Sequence, residues 1–210
     1  MCAALWTRHL QHGLPGGSAT GVADSHTRPP SAVSYARYAS PVGPVHLAAT
    51  SAGVCAVGVC EAESSFRARA DRGSSPSIVP APGAADADAI LAAAVEQLGE
   101  YFAGQRQVFT VPLDLAAATA FDRRVLDLIA AIPYGQTRTY GELADGLGQR
   151  GAARAVGHAC GRNPVPLLIA CHRVVRSGFV LGQTRLQGGY SGGGASVKAA
   201  LLALEQGAAC

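Results

Sequence analysis

Tyr140-Gly-Glu-Leu-Ala-Asp-Gly-Leu-Gly-Gln-Arg-Gly-Ala-Ala-Arg-Ala-Val-Gly-His-Ala-Cys160 is the stretch that decides how this chain is organised. Apolar residues at helical spacing predict two short helices, over 140–146 and 151–160. A tight Gly148-Gln149-Arg150 turn joins them. That is the spacing of a helix-turn-helix, although many helical hairpins with this spacing bind no nucleic acid. The second helix is unusual in its side chains. Gly151, Ala152, Ala153, Ala155 and Gly157 are all small, and Arg154 is the single long side chain among them. Small residues let a backbone approach another molecule closely, whereas an Arg among alanines with nothing to approach is a solvated side chain.

Outward from this core, Thr119 is placed to cap a preceding helix, with Phe121, Val125, Leu128 and Ile129 on one face. Ile132-Pro133-Tyr134-Gly135 stops that helix. On the other side, Asn163-Pro164-Val165-Pro166 has to be extended or turned, because each Pro disfavours helix at the residue before it. The apolar run Leu167-Leu168-Ile169 is expected to be a strand delivering Ala170-Cys171-His172-Arg173. A glycine-rich loop over 177–194 then leads to a last helix, 196–206, with Val197, Ala200, Leu201 and Leu204 facing inward.

The N-terminal half has another character. Residues 1–33 hold His, Gly and Pro with little periodicity and read as a flexible tail. Three short apolar runs follow, VSYARYAS, GPVHLAAT and GVCAVGVCE, separated by turn signals, as in an antiparallel meander. After a Ser/Pro/Ala-rich connector, Ile90, Leu91, Ala94, Val95, Leu98, Tyr101 and Phe102 repeat at helical spacing and are expected to pack the sheet. The 210 residues therefore divide into a tail (1–33), a small α/β unit (34–115) and a mostly helical unit (119–210).

Charge divides the same way. Before residue 119 there are 7 basic and 9 acidic residues, and from there on 10 and 5, so the C-terminal half is +5 and the N-terminal half −2. Such a basic half suits a phosphate backbone, and equally an ordinary solvated surface. The six cysteines include no Cys-x-x-Cys pair and no zinc-finger array, which fits a reducing compartment. No signal peptide or membrane-length apolar run is evident, so a soluble protein of the cytoplasm, or of the nucleus in a eukaryote, is expected.

Cys171 carries the chemical interest. A free Cys near a core is ordinarily an inert small hydrophobe. Here His172 and Arg173 follow it directly, supplying hydrogen bonding and positive charge that can lower a thiol pKa. Adjacent residues of a strand point to opposite faces, so Cys171 and His172 converge only if the chain turns or a water bridges them.

The blocks Ile132-Pro-Tyr-Gly135, Tyr140-Gly-Glu-Leu-Ala144, Ala152-Ala-Arg-Ala-Val-Gly157, Asn163-Pro-Val-Pro166, Cys171-His-Arg-Val-Val175, Tyr190-Ser-Gly-Gly193, Lys198 and Leu201-Leu-Ala-Leu-Glu205 recur in an order and spacing that resemble the O6-alkylguanine-DNA alkyltransferase (methylated-DNA–protein-cysteine methyltransferase) family. Ser40-Pro-Val-Gly43 resembles, more weakly, the opening of that family's ribonuclease-H-like domain. The resemblance implies an α/β two-domain fold. It has a small N-terminal ribonuclease-H-like antiparallel sheet with a helix, and a mostly helical, winged helix-turn-helix C-terminal alkyltransferase domain.

It also implies direct-reversal DNA repair. The alkyl group of O6-alkylguanine, and of O4-alkylthymine, moves irreversibly from an extruded base onto Cys171, one turnover per molecule. Family roles then fall on Cys171 as nucleophile, His172 as a base acting through a water, Glu205 as the carboxylate orienting the imidazole, and Tyr140 as the hydroxyl donating to the departing guanine. Arg154 matches an intercalating finger on a minor-groove helix with small neighbours Ala152, Ala153 and Gly157. Asn163 matches a hinge, and Val165, Pro166, Tyr190, Ser191 and Lys198 match the pocket wall. The implied partner is duplex DNA carrying O6-alkylguanine, bound by a monomer without membrane association. No cofactor is implied. Where some relatives hold zinc, the hairpin alignment places Ser31, Thr50 and Cys55, of which only Cys55 is a good ligand, so no metal is expected.

Three departures from the family pattern stand out. Ala170 replaces a Pro before the nucleophile, which frees φ and restores a backbone N–H. The interval from Cys171 to Tyr190 is several residues longer, which either widens the pocket or adds a DNA contact through Arg185. Gly161 precedes Arg162 where many relatives carry a basic residue one position earlier. Two other readings compete with repair. One is a non-catalytic sensor of alkylated DNA, and the other is an unrelated cysteine hydrolase using Cys171 and His172.

Overall fold

The structure, a computed structural model, describes residues 33–73, 85–180 and 189–207. The expected tail up to residue 32, Ser31 included, and residues 181–188 with Arg185 lie outside the described residues. Three strands, β1 (Ser34–Ser40), β2 (Gly43–Thr50) and β3 (Gly53–Val59), form an antiparallel sheet in sequential order. This is the meander that the alternating apolar runs require. β1 and β2 pair from Ser34↔Ala49 to Ser40↔Gly43, leaving Pro41-Val42 as the hairpin tip.

Between β2 and β3 the pairs Ala48↔Ala56 and Ala49↔Val54 leave Cys55 as one extra residue, a β-bulge. The bulge reverses the side-chain alternation. Val54 therefore joins Val57 and Val59 on the main core, while Ala56 faces the opposite side. Thr50 and Cys55, two of the positions weighed as metal ligands, make protein contacts: Thr50 donates to Asp114 Oδ2 at 2.8 Å and Cys55 to the Ala48 carbonyl at 3.4 Å.

Both faces of the sheet are covered. Helix α2 (Ala85–Phe102) buries Ala87, Leu91, Ala94, Leu98 and Tyr101 at alternating three- and four-residue steps against one face. Helix α1 (Glu63–Gly73) covers the other face with Phe66 and Ala70, packed on Val33, Ala48 and Ala56. The sequence reading missed α1, whose polar, Arg-rich face made it look like connector. Val33, placed at the end of the tail, is buried in that second cluster.

The C-terminal half holds helices α3 (Ala120–Ala130), α4 (Tyr140–Gly146), α5 (Ala153–Gly161) and α6 (Gly194–Glu205). The caps follow from side-chain chemistry. Thr119 accepts from Asp122 N at 3.1 Å, and Thr139 with Glu142 closes a reciprocal capping box that starts α4 at Tyr140. α5 starts two residues later than expected because Gly151 sits at φ +84, outside helical space, and Ala152 is its cap residue.

The run Leu167–Ile169 is a turn, which corrects the expected strand. Ile169 N bonds back to Val165 O at 3.0 Å, and Leu167 takes φ +75. After Ala170 a single 3-10 turn, Cys171–Arg173, leads into β5 (Val174–Val175), paired in parallel with β4 (Arg138–Thr139). Helix α6 buries Val197, Lys198, Leu201, Leu202 and Glu205, so its inner face is rotated from the expected one and carries two ionisable groups.

The two halves share one apolar core. Val45, Leu98, Val111, Ile129, Val165 and Leu201 belong to a single buried cluster, and Val57 N donates to Pro164 O across the junction at 2.8 Å. No helix among the described residues is long and apolar enough to cross a membrane.

Candidate active site

The turn that replaces the expected strand also positions the nucleophile. Asn163, 5% exposed, uses both ends of its amide: Nδ2 donates to Ile169 O at 2.8 Å, and Oδ1 accepts from Val165 N at 3.1 Å. These two bonds close the loop of residues 163–169 and hold Leu167 in its left-handed conformation, which costs about 1–3 kcal/mol for a residue with a Cβ. Cys171 N then donates to Ile169 O at 2.8 Å and starts the 3-10 turn. In that turn Cys171 and His172 no longer point to opposite faces.

Behind the cysteine lies a buried charged cluster centred on Glu205. Its Oε1 accepts from Tyr101 OH (2.8 Å) and Arg173 (3.0 Å) and pairs with His172 Nε2 (2.7 Å). Its Oε2 accepts from Arg173 Nε (2.8 Å) and Gly135 N (3.1 Å). Burial pushes this carboxyl up, but the bonds from His172 and Arg173 outweigh it and hold the group at about 2. The ionised carboxylate can only accept, so His172 Nε2 carries the hydrogen it offers. In the neutral ring Nδ1 is then a free base nitrogen. His172 is wholly buried, its pKa is lowered by that burial, and Nδ1 has no hydrogen-bond partner among the described residues. Gly135, at φ +73, is needed here: a Cβ would sit 2.9 Å from Glu205 O.

Two of these groups were not legible as site residues. Tyr101, on α2 of the N-terminal half, reads as core packing yet bonds Glu205. Arg173 was expected to lower the thiol pKa. Its guanidinium is instead spent on Glu205 and on Ile132 O at 2.6 Å, and burial raises the Cys171 pKa, with Asn163 and Lys198 pulling weakly the other way. Cys171 is therefore a protonated thiol at rest.

Cys171 opens onto a cleft of about 650 Å³. Of the residues expected at the site, Tyr140, Ala153, Arg154, Gly157, Cys171, Tyr190 and Ser191 line it, joined by His158, Cys160, Gly161, Arg176 and Gly189. Val165, Pro166 and Lys198, expected in the wall, are buried off the lining. Val165 packs in the core, and Lys198 donates to Val174 O at 2.6 Å. Burial lowers the Lys198 pKa to about 8. Ala152 and Asn163 also stand outside the lining.

Tyr140 projects from the first turn of α4. Gly157 lies against its ring, where a Cβ would make ordinary contact at 3.8 Å. Burial, with Cys160 and Cys171 nearby, pushes the Tyr140 phenol up to about 12, so it stays a neutral donor. Arg154 is exposed on α5 and faces the cleft. The cleft thus brings together Cys160, Cys171, a phenol donor and cationic side chains, with a histidine–carboxylate pair directly behind Cys171. The cleft volume falls in the range of small-molecule sites, about 300–1,000 Å³.

The chain matches the model of the "6-O-methylguanine DNA methyltransferase, ribonuclease-like domain" over residues 33–115, and of the "6-O-methylguanine DNA methyltransferase, DNA binding domain" over 120–207. It is 50% identical over 115 residues to a methylated-DNA–protein-cysteine methyltransferase of Mycolicibacterium paratuberculosis, a stretch that spans 55% of this chain and 65% of that one. Its fold is similar to a crystal structure of Mycobacterium tuberculosis O6-methylguanine methyltransferase (TM-score 0.64, 40% identity, 85% of this chain and 95% of that chain). It is similar also to Mycobacterium tuberculosis OGT in complex with DNA (TM-score 0.65, 40% identity, 83% and 94%).

Proposed function

The chain belongs to the 6-O-methylguanine DNA methyltransferase family, and from that premise we propose that it repairs DNA by direct reversal, transferring an alkyl group from O6-alkylguanine, and from O4-alkylthymine, to Cys171. It acts as a monomer on duplex DNA. The observation that carries the reading is that, of the two buried thiols on the cleft, Cys171 alone stands in front of a His172–Glu205 pair whose outer nitrogen is a free base.

The reaction is a displacement at saturated carbon. The Cys171 proton leaves, through a water, for His172 Nδ1. The sulfur pair attacks the alkyl carbon, the carbon–oxygen bond breaks, and its electrons pass to guanine O6. Imidazolium formed next to ionised Glu205 is stabilised by the same contact that orients the ring. Tyr140, neutral because its pKa is raised, donates to the departing purine as charge develops there. Burial of Cys171 also has a chemical consequence: the thiol ionises only when its base is in place, which limits reaction with other electrophiles. The thioether product is stable to thiols, so each molecule reacts once.

Reaching a stacked base requires extruding it, and α5 is the element suited to that. Arg154 fills the vacated stack while Ala153 and Gly157 let the helix lie close in the minor groove. Asn163 couples α5 to the turn bearing Cys171. Tyr190 and Ser191 hold the nucleotide at the wall, and Lys198 braces the strand after Cys171 from behind.

Incubation with duplex containing O6-methylguanine, followed by mass analysis of the tryptic peptide of residues 163–173, tests the proposal. One added methylene on Cys171, with a burst that stops near one equivalent, is the expected result. Tight binding with no mass gain would identify a sensor, and many turnovers on an ester would identify a hydrolase. Cys171→Ala should abolish transfer and retain DNA affinity.

A further inference from the structure

Arg176 lies just after β5, is exposed, and lines the same cleft as Cys171, Tyr140 and Arg154. No carboxylate lines that cleft among the described residues, and within them the Arg176 guanidinium has neither a hydrogen bond nor an ion pair; only its backbone carbonyl is bonded, accepting from Phe179 N at 3.2 Å. A guanidinium on a cleft wall without a counter-ion is a site for an anion. The proposed reaction supplies one. A base rotated out of the duplex to meet Cys171 brings its sugar and phosphate to the rim, because rotation occurs about the backbone and a phosphate does not enter an apolar pocket.

We propose that Arg176 pairs with the phosphate of the extruded nucleotide and so holds the base in the cleft, in a role separate from that of Arg154 in the duplex. The fork of a guanidinium matches two phosphate oxygens. The position fits the electrostatics as well: burial raises the Tyr140 phenol, and the positive charge of Arg176 draws it partly back, so the guanidinium stands beside the base pocket. Arg154 and Arg176 thereby divide the work, one filling the gap in the stack and the other retaining what left it.

The inference rests on the repair reading, and its test keeps the two apart. The rate of Cys171 labelling is measured with duplex bearing O6-methylguanine, with and without a neutral methylphosphonate at the phosphates flanking the lesion. Arg176→Ala should slow wild-type labelling at limiting DNA by about ten-fold, the scale of one charge-assisted contact. It should also reduce the salt slope of binding by about 0.9. Methylphosphonate should slow the wild-type protein but not Arg176→Ala, and Arg176→Lys should regain part of the loss. Equal sensitivity to methylphosphonate in both proteins, or an unchanged salt slope in Arg176→Ala, would overturn the assignment while leaving the repair reading intact. Absence of labelling in the wild-type protein would overturn both.

Discussion

Glu205→Gln is the perturbation that most directly tests the architecture of the site. The carboxylate accepts bonds from Tyr101, His172, Gly135 and twice from Arg173. A carboxyl held at about 2 rather than 4.5 corresponds to about 3 kcal/mol of native-state stability at neutral pH. Glutamine keeps one acceptor oxygen but turns an amide donor toward Gly135 N or Arg173, and it leaves the Arg173 guanidinium buried without its counter-charge. Breaking a buried pair from one side costs about 3–5 kcal/mol. Against a typical domain stability of about 5–15 kcal/mol, that loss is readily measured by urea denaturation.

The pH dependence gives a second readout. Because the folded pKa is depressed, the contribution of Glu205 is complete above its unfolded value of 4.5 and disappears as pH falls through about 2. The stability gap between wild type and Glu205→Gln should therefore be widest at neutral pH and close across that acidic window. In Arg173→Met/Glu205→Gln, part of the loss should return because no buried charge is left unpaired. A gap below about 1 kcal/mol at pH 7, or one that stays constant on acidification, would refute the reasoning.

Other perturbations address other links. Asn163→Ala removes both bonds that close the loop before Cys171 and should cost about 1–3 kcal/mol, with slower alkylation of Cys171 in protein that remains folded; urea midpoints and labelling rates check the two effects. Arg154→Ala should slow transfer from duplex far more than transfer from free O6-benzylguanine, and equal losses would show that the side chain has no part in extrusion. Ala170 has φ −74, within the range of proline, and no backbone bond described here uses its N–H. Ala170→Pro should therefore fold and gain about 0.4–1 kcal/mol, read as a higher thermal midpoint.

Several features could be read from residue types because they depend on local physics. The meander shows in alternating apolar runs, and α2 in its three- and four-residue spacing. Thr119 caps α3 because a side-chain oxygen before a helix satisfies a free N–H. The helix-turn-helix likewise follows from the spacing of its short elements, whereas Tyr140 and Arg154, which line one cleft with Cys171, were placed at the site by the family resemblance and not by residue pattern. Helix α1 was not legible because its apolar face is only Phe66 and Ala70, too narrow for a periodic signal. The expected strand at 167–169 failed for a different reason: an apolar run that short does not distinguish a strand from a buried turn held by Asn163.

The sequence by itself determined the N-terminal meander, the capped starts of α3 and α4, and the kinds of group available for chemistry. Tertiary structure decided the ionisation of those groups. Arg173 adjoins Cys171 in the chain but gives its charge to Glu205, thirty-two residues on, and Tyr101 crosses from the other half of the protein to the same carboxylate. Proton affinity depends on burial and on which charges lie within a few ångströms, and neither is a property of neighbours along the chain.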